Sequence, residues 1–145
     1  MTFSTDRLDD ARRSLKRLNT CVAALMGIGP DADAGTLYPD LDQLVYDIKN
    51  EFIAAMADYL DMQIHAGAQL VQIFDSHAGL LAHDDYRTFA LSAVQRLLGR
   101  MKAREVPVIY FAPASGHLLE LEAETGADAI GVCWRTPMDE ARRRI

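Results

Sequence analysis

Cysteine is scarce in this chain: there are two in 145 residues, Cys21 and Cys133, far apart and in no CxxC pair. That spacing excludes a disulfide framework and a structural zinc site and suits a reducing compartment. A basic excess is missing as well, since fifteen Lys and Arg stand against twenty-one Asp and Glu for a formal net charge of -6. Nucleic-acid binders normally carry a basic field that displaces counterions from phosphates, so the balance argues against that class, though not against a local basic pocket. No long apolar run occurs either. The run from Cys21 to Pro30 is broken by two glycines and too short to span a bilayer, and the first ten residues carry Asp6, Asp9 and Asp10 rather than a basic leader. Neither secretion, membrane insertion nor a membrane partner is expected, and cytoplasm is the default location. Neither GxGxxG nor GxxxxGK[ST] is present, which removes the nucleotide-binding reading.

What is present is a half-hydrophobic chain, enough for one folded, soluble domain with a core. Gly29, Pro30, Asp31, Asp33 and Gly35 form a cluster of turn formers that sets residues 1–36 apart. Before it, Arg7 to Met26 reads as one amphipathic helix. After it, Asp40 to Ala66 places Leu41, Leu44, Val45, Ile48, Phe52, Ile53 and Met56 at helical spacings, and Gly67 ends the helix.

From there helical and strand patterns alternate. Ala68 to Phe74 reads as a buried strand, and a helix with Asp84 and Asp85 at its start carries Tyr86, Phe89, Leu91, Val94, Leu97 and Leu98. Pro107 to Ala112 is a second strand; Ser115 caps a helix that ends at Gly126; Ala129 to Cys133 is a third strand; and Pro137 opens a last helix. Strand, helix, strand, helix, strand with short connections predicts a parallel α/β sheet, open or closed. In such sheets the reactive groups sit on loops leaving the C-terminal strand ends, here those beginning at Asp75, Ala112 and Cys133.

The first of these loops reads Gln72-Ile73-Phe74-Asp75-Ser76-His77-Ala78-Gly79. The second follows Pro107-Val108-Ile109-Tyr110-Phe111 and contains Gly116-His117-Leu118-Leu119-Glu120, and the third block runs from Glu124 to Thr136 with Trp134 and Arg135. In order and spacing the three blocks resemble the uroporphyrinogen decarboxylase family, and the likeness extends upstream into the helix from Tyr38 to Gly67.

The resemblance implies a (β/α)₈ TIM-type barrel and a carboxy-lyase that removes the four acetate carboxyls of uroporphyrinogen, in haem biosynthesis, with neither metal nor organic cofactor. Protonating a pyrrole carbon makes the substrate its own electron sink, so the protein must hold a polyanion and stabilise developing positive charge. Family enzymes use an N-terminal arginine-rich loop, an aspartate facing the pyrrole NH groups, a tyrosine, a serine or threonine, and a late histidine. Ser76 occupies the serine or threonine position. The other four have no counterpart in this chain, so no catalytic residue is assigned. Cys133 stands where the family usually has Asp, and Pro113 where a lysine or another flexible residue is common. A zinc site of the kind found in related corrinoid methyltransferases needs His two before Cys, but Gly131 and Asn19 occupy those places.

Each candidate has a plainer alternative. Ser76 donates to a substrate carboxylate or forms a turn with its own backbone. Ser115 and His117 open a helix whose free NH groups suit an anion, or they are an ordinary cap. His77 packs in its loop, and Asp75, with no partner in sight, anchors the loop. Arg135 pairs with Asp139, and Arg142, Arg143 and Arg144 are a solvated helix end. The expected architecture is therefore an α/β chain: a helical segment over residues 1–36, then a three-strand parallel portion of the barrel over residues 37–145. Its expected substrate contacts are Ser76, Ser115 and His117. The chain alone is expected to be incomplete and inactive toward uroporphyrinogen, and to be a homo-oligomer or to take a partner chain that completes the barrel. The other reading is a non-catalytic protein that binds a tetrapyrrole or completes another chain's barrel.

Overall fold

A computed structural model describes residues 41–145. The amino-terminal helix and the turn cluster expected before Gly35 lie outside the described residues, as does the separate segment 1–36. The chain divides into two compact units, residues 1–62 and 63–145.

Helix α1 (Leu41–His65) is the described part of the first unit and runs three residues into the second. Its buried positions are Ile53, Ala55, Ala57 and Leu60, whereas Val45 and Phe52 of the expected stripe are exposed. Ile53, Ala57 and Leu60 repeat at four and three residues, so the helical period holds but the buried face is rotated onto small alanines. Gly67 takes φ +106°, the left-handed conformation in which a chain leaves a helix, with its N–H donated to Ile64 at 2.9 Å.

The second unit is a three-stranded parallel sheet in the order β1 (Val71–Phe74), β2 (Val108–Phe111), β3 (Ala129–Gly131). Val71 faces Val108, Phe74 faces Phe111, and Phe111 faces Gly131. The observed strands lie inside the expected ones, because ladder pairing stops where the flanking residues turn away.

Between β1 and β2 the chain coils through a helical turn (His83–Asp85), a π-helical stretch (Tyr86–Ala90) and α2 (Leu91–Met101). The wider π turn places Tyr86 and Leu91, five residues apart, on one buried face, and Leu97, Leu98 and Met101 continue it. Between β2 and β3 come a 3₁₀ turn (Gly116–Leu118) and α3 (Leu119–Ala123), and after β3 comes α4 (Met138–Arg144). Val71, Ile73, Val108 and Tyr110 point to the side on which these helices bury Leu118, Leu119, Leu121 and Ala141. The opposite face, with Gln72, Phe74, Ile109 and Phe111, has no cover from this unit; Phe74 is 65% exposed. Among the described residues no helix is long and apolar enough to cross a membrane.

Candidate functional site

The C-terminal strand ends carry three loops that lock onto one another. Asp75 donates its N–H to Phe111 at 2.9 Å, which carries the ladder one residue beyond β1. Ser76 and His77 follow, both exposed, and the chain then turns through Ala78–Leu80. A side chain on Gly79 would run into the carbonyl of Pro113, so only glycine lets the first loop lie against the second. The ring Nε2 of His117 donates to the Leu81 carbonyl at 2.8 Å and ties the same two loops. A side chain on Gly116 would meet the Thr136 hydroxyl, so the second loop lies beside the third.

Two of the three sequence-predicted contacts are thus engaged inside the protein. Ser115 is buried, and its hydroxyl donates to the Ala112 carbonyl at 2.7 Å, so it sits at the cap position without capping the helix. His117 braces the loops through Leu81. Ser76 is exposed at the strand end and, of the three, is the one with no protein partner described.

Beneath the loops, on the helix-covered side, lies a polar cluster that the sequence reading passed over. The Tyr86 hydroxyl donates to the Tyr110 hydroxyl at 2.9 Å, and Tyr110 donates to Asp75 Oδ2 at 2.8 Å. Asp75, expected to lack a partner, is therefore held by a tyrosine pair. Burial pushes the Tyr86 phenol up to about 12 and the Tyr110 phenol well above its ordinary range, so both stay protonated donors. Glu122 completes the cluster from α3, fully buried, and neither carboxyl oxygen has a hydrogen-bond partner. Burial raises its pKa to about 7; the nearby Asp75 charge adds to this, and Ser115 and His117 oppose it. Leu118, Leu119 and Glu122 share one helical face by spacing, and that spacing is the signal that would have found Glu122.

Arg135 does not pair with Asp139, as expected, but lies over the Trp134 ring at 4.8 Å, while Asp139 takes Arg143 at 2.9 Å. One turn apart on α4, Asp139 and Arg143 meet more readily than the more distant Arg135. Nor is Arg144 a solvated helix end: it grips Glu120 of α3 with Nε at 2.6 Å and Nη2 at 2.7 Å. Cys133 is buried at the third strand end, and the N–H groups of Arg135 and Ala114 lower its thiol pKa.

A cavity of about 250 Å³ opens at the other end of the sheet, beside Met101, Pro107 and Val108, away from every one of these loops. Among the described residues no group of His, Cys, Asp and Glu is placed to hold a metal ion.

Comparison with known proteins matches residues 42–145 to the uroporphyrinogen decarboxylase (URO-D) family. The chain is similar to the uroporphyrinogen decarboxylase of Teredinibacter turnerae, with 43% identity over 111 residues, 74% of this chain and 30% of the relative. Against that of Acinetobacter baylyi the identity is 40% over 107 residues, 71% of the chain and 30% of the relative. Against that of Streptomyces coelicolor it is 43% over 103 residues, 71% and 29%. The chain spans about 30% of the length of the curated relatives it matches.

Proposed function

We propose that this chain, which belongs to the uroporphyrinogen decarboxylase family, supplies three consecutive strands of a (β/α)₈ barrel that receives uroporphyrinogen or a related tetrapyrrole at its C-terminal strand ends. The observation that carries the reading is the sheet itself. Three parallel strands run in chain order with helices on one face and an open, largely apolar face on the other, which is how strands of a barrel wall are disposed. At the C-terminal rim, Ser76 has the free hydroxyl that a substrate carboxylate or pyrrole NH would meet. Ser115 and His117 belong to the same rim and act on substrate through the loop they brace.

The 145 residues by themselves do not decarboxylate. Removing an acetate carboxyl requires a proton donor for the pyrrole carbon and a fixed countercharge for the cationic ring, and Ser76 supplies neither. A non-catalytic tetrapyrrole binder or barrel-completing protein is the second reading, favoured by the aromatic pair of exposed Phe74 and half-buried Phe111, whose rings meet edge to face at 5.7 Å. The open face calls for self-association or a completing partner, and the expected location is cytoplasmic.

Incubating the purified chain with uroporphyrinogen tests the proposal: no coproporphyrinogen forms above background, whereas uroporphyrin absorbance shifts on titration and Ser76→Ala weakens that binding about tenfold or more. Turnover by the chain alone overturns the claim of inactivity, and unchanged binding in Ser76→Ala removes Ser76 from the site.

A further inference from the structure

Glu122 is a fully buried carboxyl with no hydrogen-bond partner, facing groups that are already committed to one another. The charged and titratable groups around it are Asp75 at the end of β1, Tyr86 in the π-helical stretch and His117 in the 3₁₀ turn. Tyr110 of β2 bonds to two of these, and the Ser115 hydroxyl lies beside Glu122. Ser115 has a single proton and spends it on Ala112, and Tyr86 spends its proton on Tyr110.

A neutral Glu122 tolerates this arrangement. An ionised one, in a buried site beside Asp75, cannot, because an unpaired buried carboxylate is far more costly than a neutral acid. The hydroxyl donors around it are those of Ser115 and Tyr86. Taking Tyr86 leaves Tyr110 without its donor, and taking Ser115 releases the Ala112 carbonyl that shapes the second loop. Either exchange disturbs the bond from Tyr110 to Asp75, the residue immediately before Ser76.

We infer that Glu122 is a proton-holding group that gates the first and second loops: protonated, it leaves the Tyr86–Tyr110–Asp75 chain intact, and ionised, it competes for the donors that hold Asp75 and Ser115 in place. The device is independent of the decarboxylase reading, since it concerns only the state of the rim and not what the rim binds.

The test follows two signals of the full 145-residue chain from pH 5 to pH 9. Infrared difference spectra with ¹³C-labelled glutamate read the protonated carboxyl, and near-ultraviolet circular dichroism reads the packed tyrosines. The expected result is one shared midpoint near pH 7 for loss of the acid band and change of the tyrosine signal. Both changes are absent in Glu122→Gln, and both persist in His117→Gln, a control needed because histidines as a class change charge near pH ~6.5. Glu122→Met serves if the amide variant does not fold. If neither variant folds, coincidence of the two midpoints in wild type and again in His117→Gln decides the matter. Glu122 already ionised at pH 5, an acid band that titrates without the tyrosines, or a tyrosine change lost in His117→Gln each overturns the inference.

Discussion

The two faces of the sheet differ in what they hold beside the apolar core of Val71, Ile73, Val108 and Leu118 on the covered side. The helix-covered face contains two tyrosine hydroxyls and a carboxyl, and Tyr110 and Glu122 are both 0% exposed there. The uncovered face presents Phe74, Ile109 and Phe111, and among them Phe74 is 65% exposed. Alternation along a strand assigns residues to faces whatever their polarity, so Ile73 and Tyr110 go one way and Phe74 and Phe111 the other. The difference is one of address: the unit's own helices lie over the face that holds its polar cluster, and the aromatic side chains Phe74 and Phe111 lie on the other face.

The sharpest way to break this comparison is to cut one large apolar side chain from each face. Leu118, fully buried on the covered side, should cost about 2–5 kcal/mol on truncation to Ala, through lost transfer energy and the cavity left behind. Phe74→Ala should cost less than about 1 kcal/mol, because most of the ring is already in water. Urea denaturation at several protein concentrations checks both. The unequal costs are expected at low concentration, and a Phe74 cost that grows with concentration is what the proposed self-association through the open face requires.

The next effect in size sits at the boundary between the faces. Tyr110→Phe keeps the packing but leaves half-buried Asp75 without its donor and the Tyr86 hydroxyl without its acceptor. The expected destabilisation is about 1–3 kcal/mol, the usual range for a hydrogen bond to a charged group. Tyr86→Phe should cost less, since Tyr110 keeps its bond to Asp75. Similar costs for the two would argue that the chain acts as one cooperative unit rather than as two separate bonds.

These elements differ in how legible they are in the sequence. The strands beginning at Val71, Val108 and Ala129 follow from short apolar runs bounded by Gly, Pro and Asp, and their parallel order follows from the intervening helices. Ser76 is singled out by its place after a strand and by the family position it occupies. Tyr110 and Glu122 escape notice for opposite reasons: a tyrosine in a β-rich run reads as ordinary strand material, and a glutamate among Glu120, Glu122 and Glu124 reads as solvated helix surface. Only the helical phase set by Leu118 and Leu119 distinguishes Glu122 from its neighbours. The Arg144 pair with Glu120 was out of reach for another reason, since it joins residues 24 apart through the packing of two helices that no local pattern reports.

That pair belongs to neither face and calibrates the whole comparison, because its geometry is close and two-pronged yet it should matter least. Arg144 approaches Glu120 through two parallel N–H bonds, and these hold the Glu120 carboxyl down to about 2. A folded-state pKa below the unfolded value of about 4.5 means that the pair adds stability above pH ~4.5 and loses it as the pH falls toward 2. The size of the shift is not the size of the effect: the Glu120 side chain is 48% exposed, so solvent and salt screen the attraction and ordering two long side chains offsets part of it. Glu120→Gln should therefore cost about 1 kcal/mol or less at pH 7, with the difference from wild type shrinking between pH 4.5 and 2 and at high salt. Denaturation curves of the two proteins at pH 7 and pH 3, with and without added salt, measure this directly. A cost above that of Tyr110→Phe, insensitive to salt, would show that the α3–α4 contact is far less solvated than its exposure indicates, and that the polar cluster around Tyr110 is not where this unit concentrates its electrostatic stability.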